Sequence, residues 1–339
     1  PSKDLSKSIL KSVYTFCILF VIILYYFLYT KLMTLFRSWS YNKNPKYFSK
    51  NLLKMINLNN VEKQIKINEE SISKLRPNIE KKILWAGESF QKTLLSIVFI
   101  HGFSATRVEL SPVIEQVAKG IGANVFFTRL KGHGQDGIAL SNATFDDWTL
   151  DTKEAIRIGE VIGEDVILIG SSTGCSLIHS LLEVQKNVKS VIYISPNFGP
   201  SSFKGHFLRL PGARWFIPLI LGSEHSFTPK NSEHERCWTT SYPTKALFPV
   251  KDSVVAASLA NHSKIKLPVL FWFSDYDKVV SPKATRRIIS KMGKNVEVFN
   301  PILSLKDDPS KHGVLGDILS PTKTEQGVNK ILEWIRKNI

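Results

Sequence analysis

Six short, nearly continuous apolar runs alternate with helix-like segments through most of this chain. The runs are rich in branched residues, as fully buried strands of a parallel sheet are. They occupy 94–100, 124–130, 165–170, 190–195, 268–273 and 295–300. The helix-like segments are 108–119, 146–162, 174–186, 282–292 and 323–337. This order predicts an α/β protein with a doubly wound, mostly parallel sheet.

Two other regions complete the predicted α/β body. Segments 61–67 and 78–85 are short and partly alternating, which predicts antiparallel strands with one solvent-facing side. Residues 196–267 form a gap that is too long for a single crossover and is rich in Phe, Trp and Tyr. Because this stretch is too apolar to be disordered, we interpret it as a cap inserted over one end of the sheet.

The segment GSSTG, residues 170–174, follows one of the buried runs and precedes a helix-like segment. It matches the pattern G-x-S-x-G, which in that context forms a sharp strand-to-helix turn with a nucleophilic serine at its third position. Ser172 is therefore the candidate nucleophile, and Ser171 is the variable residue before it. The alternative is a turn rich in Ser and Gly that carries no chemistry.

A serine nucleophile needs a base and an acid, which follow it in the chain on this type of sheet. His312 lies after the last predicted strand and is the only histidine beyond position 262. Asp275 and Asp277 both follow the run 268–273 and are both candidates for the acid. The carboxyl ends of parallel strands are where such sheets place their sites.

The oxyanion of an acyl-transfer reaction needs two backbone N–H donors. The loop after the run 94–100 contains His101, Gly102 and Phe103. Phe103 is expected to supply one donor and Thr173, the residue after the nucleophile, the other. We interpret His101 as a structural residue that is hydrogen-bonded beneath the loop.

These motifs together resemble the α/β-hydrolase superfamily. The stretches that carry the resemblance are FIHGFSATRVEL, TRLKGHGQDG, FDDW, GSSTG, SDYDKVVSP and SKHGVLGD. They are most similar to the branch of monoacylglycerol lipases, lysophospholipases and bacterial carboxylesterases, over roughly residues 78–339. The resemblance implies that Asp277 is the acid of the triad. The chain departs from that branch at Thr173 and Cys175, where Met or Leu and a small residue are common.

The N-terminal region predicts a membrane anchor. Residues 12–30 contain no charged residue and would span about 28 Å as a helix, close to the hydrocarbon thickness of a bilayer. The net charge is +16 overall, and more than half of this excess lies in residues 1–82. More basic residues follow the apolar run than precede it, which predicts a cytoplasmic body. A cleaved signal peptide is the alternative, but no A-x-A site is present.

The predicted organisation is an anchor over 1–37, a juxtamembrane linker over 38–60 and an α/β-hydrolase domain over 61–339. The predicted function is a membrane-anchored serine hydrolase that cleaves carboxylic esters, with an ester or lipid as substrate. The cap residues Trp215, Phe216 and Trp238 are expected to form a wall for the acyl chain. Acyl transfer, peptide hydrolysis and a non-catalytic binding protein on the same fold are the alternatives.

The sequence predicts no cofactor and no metal site, since its three cysteines are scattered and have no metal-ligand spacing. Nucleic-acid binding is not expected, because the membrane boundary accounts for the basic excess. The oligomeric state stays open.

Overall fold

A seven-stranded sheet forms the centre of the computed structural model, which describes residues 56–185, 187–210 and 212–339. The strand order is β1-β3-β2-β4-β5-β8-β9, and all neighbouring pairs are parallel except β1 with β3. The strands are β1 Lys82–Leu84, β2 Thr93–Ile100, β3 Asn124–Phe127, β4 Gly163–Ser171, β5 Val188–Ile194, β8 Val269–Trp272 and β9 Val296–Phe299. Two further strands, β6 Glu224–Ser226 and β7 Ser241–Pro243, pair antiparallel in a separate small sheet.

Eleven α-helices are described in these residues. They are α1 Val61–Glu70, α2 Val113–Ile121, α3 Gly137–Asn142, α4 Phe145–Ile162, α5 Thr173–Leu181, α6 Phe203–His206, α7 Ala213–Leu221, α8 Ser232–Cys237, α9 Leu247–Leu259, α10 Pro282–Ile289 and α11 Thr324–Asn338. Short 3₁₀ turns at Leu182–Val184, Phe207–Arg209, Thr244–Ala246, His262–Lys264 and Pro321–Lys323 connect some of them.

Helices cover both faces of the main sheet, as the alternation of strands and helices predicted. Ile97 and Phe99 of β2 join the large apolar core with α2 and α11. Val98 points the other way, where it lies against α4: a methyl group on Gly159 would stand 2.5 Å from Val98 Cγ2. Because successive strand residues face opposite sides, a strand that is buried on both faces reads as a continuous apolar run. The predicted mostly parallel α/β sheet is therefore confirmed.

One strand prediction is wrong, and another is right only in part. The segment 61–67 lies in helix α1, where Val61, Ile65 and Glu69 form the buried side. Their four-residue spacing fits a helix and not a strand, and the short window hid that period. The run 295–300 contains strand β9, but this strand lies at the edge of the sheet, and its residues are intermediate or exposed and not fully buried.

The gap between β5 and β8 contains helices α6 to α9 and the small β6–β7 sheet. We call residues 196–267 the cap segment from here on, with the boundaries that the sequence predicted. Its inner apolar residues form clusters of their own, among them one of Ala213, Ile217 and Phe248. These clusters explain why the segment is rich in aromatic residues without belonging to the main core.

No helix within the described part of the chain is long and apolar enough to cross a membrane. The predicted anchor, residues 12–30, and most of the predicted linker lie outside the described residues. Only 56–60 of that linker are described.

Candidate active site

Ser172 lies in the sharp turn between strand β4 and helix α5. Its backbone has φ 48° and ψ −111°, a region that non-glycine residues rarely adopt. The turn is held by the Ser172 N–H, which donates to the Ile194 carbonyl at 2.9 Å. A methyl group at Gly174 would stand 2.1 Å from the Ile100 carbonyl oxygen, so only glycine fits there. The local sequence therefore produces the predicted turn.

The three side chains predicted as nucleophile, base and acid lie in one hydrogen-bond chain. His312 Nε2 is 3.0 Å from Ser172 Oγ, and His312 Nδ1 is 2.7 Å from Asp277 Oδ2. The other carboxylate oxygen of Asp277 accepts from the N–H groups of Val279 at 2.8 Å and Val280 at 3.0 Å. The Asp277 side chain is 1 % exposed. Hydrogen bonds to both of its oxygens hold the carboxylate in its orientation toward His312.

Opposing effects act on the imidazole of His312. Burial alone would lower the pKa of His312, but the Asp277 carboxylate favours the charged ring and, together with Asp308 and Glu109, raises the pKa above its usual value. A base of this kind accepts a proton readily and holds it as an imidazolium beside a carboxylate.

The neighbouring Asp275 has a different environment. Its carboxylate binds the guanidinium of Arg286 through both oxygens, at 2.8 and 2.5 Å, and accepts from Asn300 Nδ2 at 2.7 Å. About a third of the side chain is exposed. The structure thus brings Asp277 to His312 and keeps Asp275 in a surface ion pair.

Glu109 is a buried acid beside the site that the sequence did not single out. Its Oε2 accepts from the Gly102 N–H at 2.7 Å, and a second hydrogen bond joins it to the Ser171 side chain. Burial raises the pKa of Glu109, although these two bonds partly counter that effect. The carboxyl group therefore links the loop of Gly102 and Phe103 to the turn of Ser172. No sequence motif indicated the role of Glu109, because its contacts with Gly102 and Ser171 form only when the chain folds.

His101 occupies the structural position that the sequence predicted. The ring is fully buried, and its Nε2 accepts from the Leu130 N–H at 3.1 Å. Burial lowers the pKa of His101 to about 4, so the ring is neutral near pH 7. His133 of the GHG segment lies against it, with ring centroids 4.8 Å apart.

The loop that carries His312, residues 307–320, is organised by a second acid. Asp308 Oδ2 accepts from the N–H groups of His312 at 3.1 Å and Gly313 at 2.6 Å. Ser195, which follows β5 with φ 46°, donates from its Oγ to the His312 carbonyl at 2.5 Å. Sequence reasoning missed both residues, although Asp308 stands only four positions before His312.

A cavity of about 540 Å³ contains this site. Besides Ser172 and His312, it is lined by Phe103 and Thr173, the two predicted oxyanion donors. An apolar group of lining residues comes from the 3₁₀ turn before α7 and from α9: Leu208, Leu247, Val250 and Val254. A more polar and aromatic group comes from the residues around α8: Phe227, Lys230, His234 and Trp238.

The structure brings only one of the three predicted wall residues to this cavity. Trp238 lines it and is buried. Trp215 is 83 % exposed and Phe216 packs against the cluster around Phe248, and neither is a lining residue. Ala213 and Ile217, which are four residues apart, form the buried side of helix α7. Trp215 lies midway between them in the chain and therefore faces outward.

Within the described residues, no group of three or more His, Cys, Asp or Glu side chains could hold a metal ion.

The fold and this arrangement are those of an α/β-hydrolase. A family model described as "Serine aminopeptidase, S33" matches residues 91–300, more than half of the chain, and the chain therefore belongs to that family. The predicted resemblance to the α/β-hydrolase superfamily is confirmed.

Solved structures with the same fold include several lipolytic enzymes. A structure from work on LipS and LipT, two metagenome-derived lipolytic enzymes, is 20 % identical, with a TM-score of 0.62, and covers 78 % of this chain and 99 % of that chain. A monoacylglycerol lipase of Paleococcus ferrophilus is 16 % identical, with a TM-score of 0.55, and covers 76 % and 98 %. A soluble variant of the Saccharomyces cerevisiae monoglyceride lipase is 10 % identical, with a TM-score of 0.54, and covers 76 % and 91 %. At these identities the likeness concerns the fold. No curated protein sequence matches the chain.

Proposed function

We propose that this protein is a serine hydrolase that cleaves carboxylic esters through an acyl-enzyme on Ser172. The observation that carries the proposal is the hydrogen-bond chain from Ser172 Oγ through His312 to Asp277, which lies in a cavity. A serine hydroxyl, an imidazole and a buried carboxylate in this order form the arrangement that activates a nucleophile for acyl transfer.

The proposed reaction uses each group in turn. Ser172 Oγ attacks the carbonyl carbon of the ester while His312 Nε2 takes the hydroxyl proton. The N–H groups of Phe103 and Thr173 stabilise the oxyanion of the tetrahedral intermediate. When the C–O bond to the alcohol breaks, His312 returns the proton to the leaving oxygen. Water then attacks the acyl-enzyme by the same route and releases the carboxylic acid.

The shape of the cavity favours an apolar acyl chain. Leu208 and three residues of one side of α9, Leu247, Val250 and Val254, provide an apolar surface next to Ser172. Burial of each methylene against such a surface favours binding by about 0.8 kcal/mol. Several proteins with this fold are named as lipolytic enzymes or monoacylglycerol lipases, which supports esters of fatty acids as the substrate class.

Peptide hydrolysis is the second candidate, because the family description names an aminopeptidase. An aminopeptidase needs a carboxylate that is free to bind the substrate's terminal ammonium group. The acidic side chains that line the described cavity are Glu109 and Asp308. Glu109 already accepts from Gly102. Both oxygens of Asp308 are occupied, Oδ1 by Lys230 and Oδ2 by the N–H groups of His312 and Gly313. This arrangement favours ester hydrolysis over aminopeptidase activity.

We also propose that residues 12–30 anchor the protein in a membrane as a single span, with the hydrolase domain on the cytoplasmic side. The support comes from the uncharged run and the distribution of Lys and Arg around it. An enzyme held at a bilayer would meet lipid esters at high local concentration.

The function is tested by assaying the full chain on esters of one alcohol with acyl chains of graded length, beside the Ser172→Ala variant. We expect hydrolysis by the full chain and background activity for the variant. Addition of glycerol as an acceptor separates acyl transfer from hydrolysis, and an amino-acid amide series tests the peptidase alternative. A folded protein that cleaves no ester would favour the non-catalytic reading.

A further inference from the structure

Lys230 places a cation inside the cavity that the proposed reaction does not use. Its ammonium group pairs with Asp308 Oδ1. Lys230 is one of the residues that line the cavity, and its side chain is 28 % exposed. The next residue holds the segment in place, because Asn231 Nδ2 donates to the Ile318 carbonyl at 2.9 Å. Lys230 is therefore held against the loop of His312 by two contacts.

The pair with Asp308 does not exhaust the donors of Lys230. Asp308 also accepts from Ser310 at 2.9 Å from its N–H and 2.6 Å from its Oγ, in addition to the N–H groups of His312 and Gly313. An ammonium group has three N–H donors. Among the described residues, Asp308 is the one acceptor that the Lys230 ammonium contacts, which leaves two donors directed to the cavity or to solvent.

The position of Lys230 indicates which part of a bound ester lies close to its ammonium group. In the proposed reaction His312 gives its proton to the leaving alcohol, so the alcohol must lie on the His312 side of Ser172. Lys230 is on that side, because Asp308 contacts both the Lys230 ammonium group and the His312 backbone. The apolar lining residues of α9 lie on a different element from Lys230 and His312. They therefore remain available for the acyl chain.

From this placement we propose that Lys230 is a specificity-determining residue that binds an anionic oxygen group on the alcohol part of the substrate, a phosphate in the simplest case. The inference rests on the proposed ester hydrolysis. A partly desolvated ammonium with two free donors attracts an anion more strongly than a neutral hydroxyl group. The preferred substrates would then combine an apolar acyl chain with an alcohol that carries a phosphate.

The test compares three esters of octanoic acid that differ in the alcohol: ethyl octanoate, monooctanoylglycerol and monooctanoylglycerol phosphate. The full chain is assayed with each ester below its critical micelle concentration. We expect the highest kcat/KM for the phosphate ester, with the advantage mainly in KM.

Lys230→Met keeps the apolar stem of the side chain and removes the charge. We expect kcat/KM for the phosphate ester to fall about tenfold or more, the size of a lost hydrogen bond to a charged group, with a much smaller loss on ethyl octanoate. Lys230→Arg should retain part of the preference. Lys264→Met is the matched control, because Lys264 forms an ion pair with Glu183 at 2.6 Å outside the cavity, and it should change none of the three activities.

Equal losses on all three esters in Lys230→Met would overturn the inference, since they would indicate that Lys230 only positions the loop of His312. Equal use of the glycerol and phosphate esters by the unmodified chain would also contradict it. If Lys230→Met does not fold, competition decides: glycerol phosphate should inhibit ethyl octanoate hydrolysis by the unmodified chain more strongly than glycerol. Ser172-dependent cleavage of ethyl octanoate without these preferences refutes this inference alone, whereas no cleavage of any ester refutes the proposed function with it.

Discussion

At the scale of single residues, the site depends on two serines with unusual backbones. Ser172 and Ser195 follow the adjacent strands β4 and β5, and both have positive φ. The carbonyl of Ser172 accepts from Cys175 and Asn197, each at 3.1 Å, and the Ser195 hydroxyl binds the His312 carbonyl. Such conformations cost roughly 1–3 kcal/mol each and persist where the surroundings hold them. Here the surrounding hydrogen bonds bring Ser172 Oγ toward His312.

The first prediction separates the two neighbouring aspartates. Asp277→Asn should reduce kcat by about 10⁴-fold, because the amide no longer holds the His312 ring in its reactive tautomer. Asp275→Asn, the matched change, removes a surface ion pair with Arg286 and should cost little activity. Steady-state kinetics on one ester measures both variants. A larger loss in Asp275→Asn would reverse the assignment.

The second prediction concerns pH. The proposed reaction needs neutral His312, and the pKa of His312 is raised above the usual value of about 6.5. Activity should therefore fall as the pH drops, with a midpoint of kcat/KM above 6.5. In Glu109→Gln the midpoint should move to lower pH, because one of the carboxylates that favour the charged imidazole is gone. A midpoint that moves to higher pH in this variant would contradict the account.

At the scale of elements, the apolar wall predicted at Trp215, Phe216 and Trp238 is formed in large part by helix α9, while α7 contributes none of its described residues to the cavity. Leu247, Val250 and Val254 lie three and four residues apart on α9, so they share one side of the helix and line the cavity. On α7 the large apolar side chains Trp215, Leu219 and Ile220 are exposed. Composition predicted that the cap segment is folded and apolar, but it carries no information on the direction in which each side chain points.

The third prediction tests this division. Val254→Trp should shorten the preferred acyl chain, because the larger ring fills the apolar part of the cavity. Discrimination of about 1–3 kcal/mol per methylene is available in such pockets, so kcat/KM for dodecanoate should fall by tenfold or more relative to butyrate. Trp215→Ala should leave the profile as it was. Chain-length dependence that responds to Trp215 and ignores Val254 would contradict this assignment.

The sequence predicted a local motif correctly where the residues that produce the motif all lie in one short segment. The turn at Ser172 follows from the glycines and from the strand and helix on either side of it. His312 followed from the chain order of the triad, and Asp277 from the family resemblance. Glu109 and Lys230 could not be found in this way, because their contacts join segments far apart in the chain. Helix α1 was missed since seven residues do not distinguish the periods of helix and strand.

At the scale of the whole molecule, the net charge is unevenly distributed. Residues 1–82 hold more than half of the excess of +16, and the run 12–30 lies within them. The residues that the structure describes between 56 and 339 form the α/β-hydrolase fold. Basic residues next to an apolar span favour contact with the anionic cytoplasmic leaflet of a membrane.

The fourth prediction follows from this distribution. The full chain should sediment with membranes and resist extraction at high salt and alkaline pH, because an apolar span is held by hydrocarbon and not by charge. A variant without residues 1–37 should move to the soluble fraction. Extraction of the full chain by salt alone would contradict the anchor, and a reporter fused after Ile339 tests the side of the membrane.

The proposed function requires that Ser172 is an activated nucleophile. Labelling of the full chain with a fluorophosphonate probe, followed by mapping of the modified peptide, measures this directly. We expect that Ser172 is labelled, that Ser171→Ala keeps the label, and that Ser172→Ala and His312→Ala both lose it, since the two residues act as one unit. Modification of Ser171, persistence of the label in Ser172→Ala, or no labelling of a folded protein would contradict it.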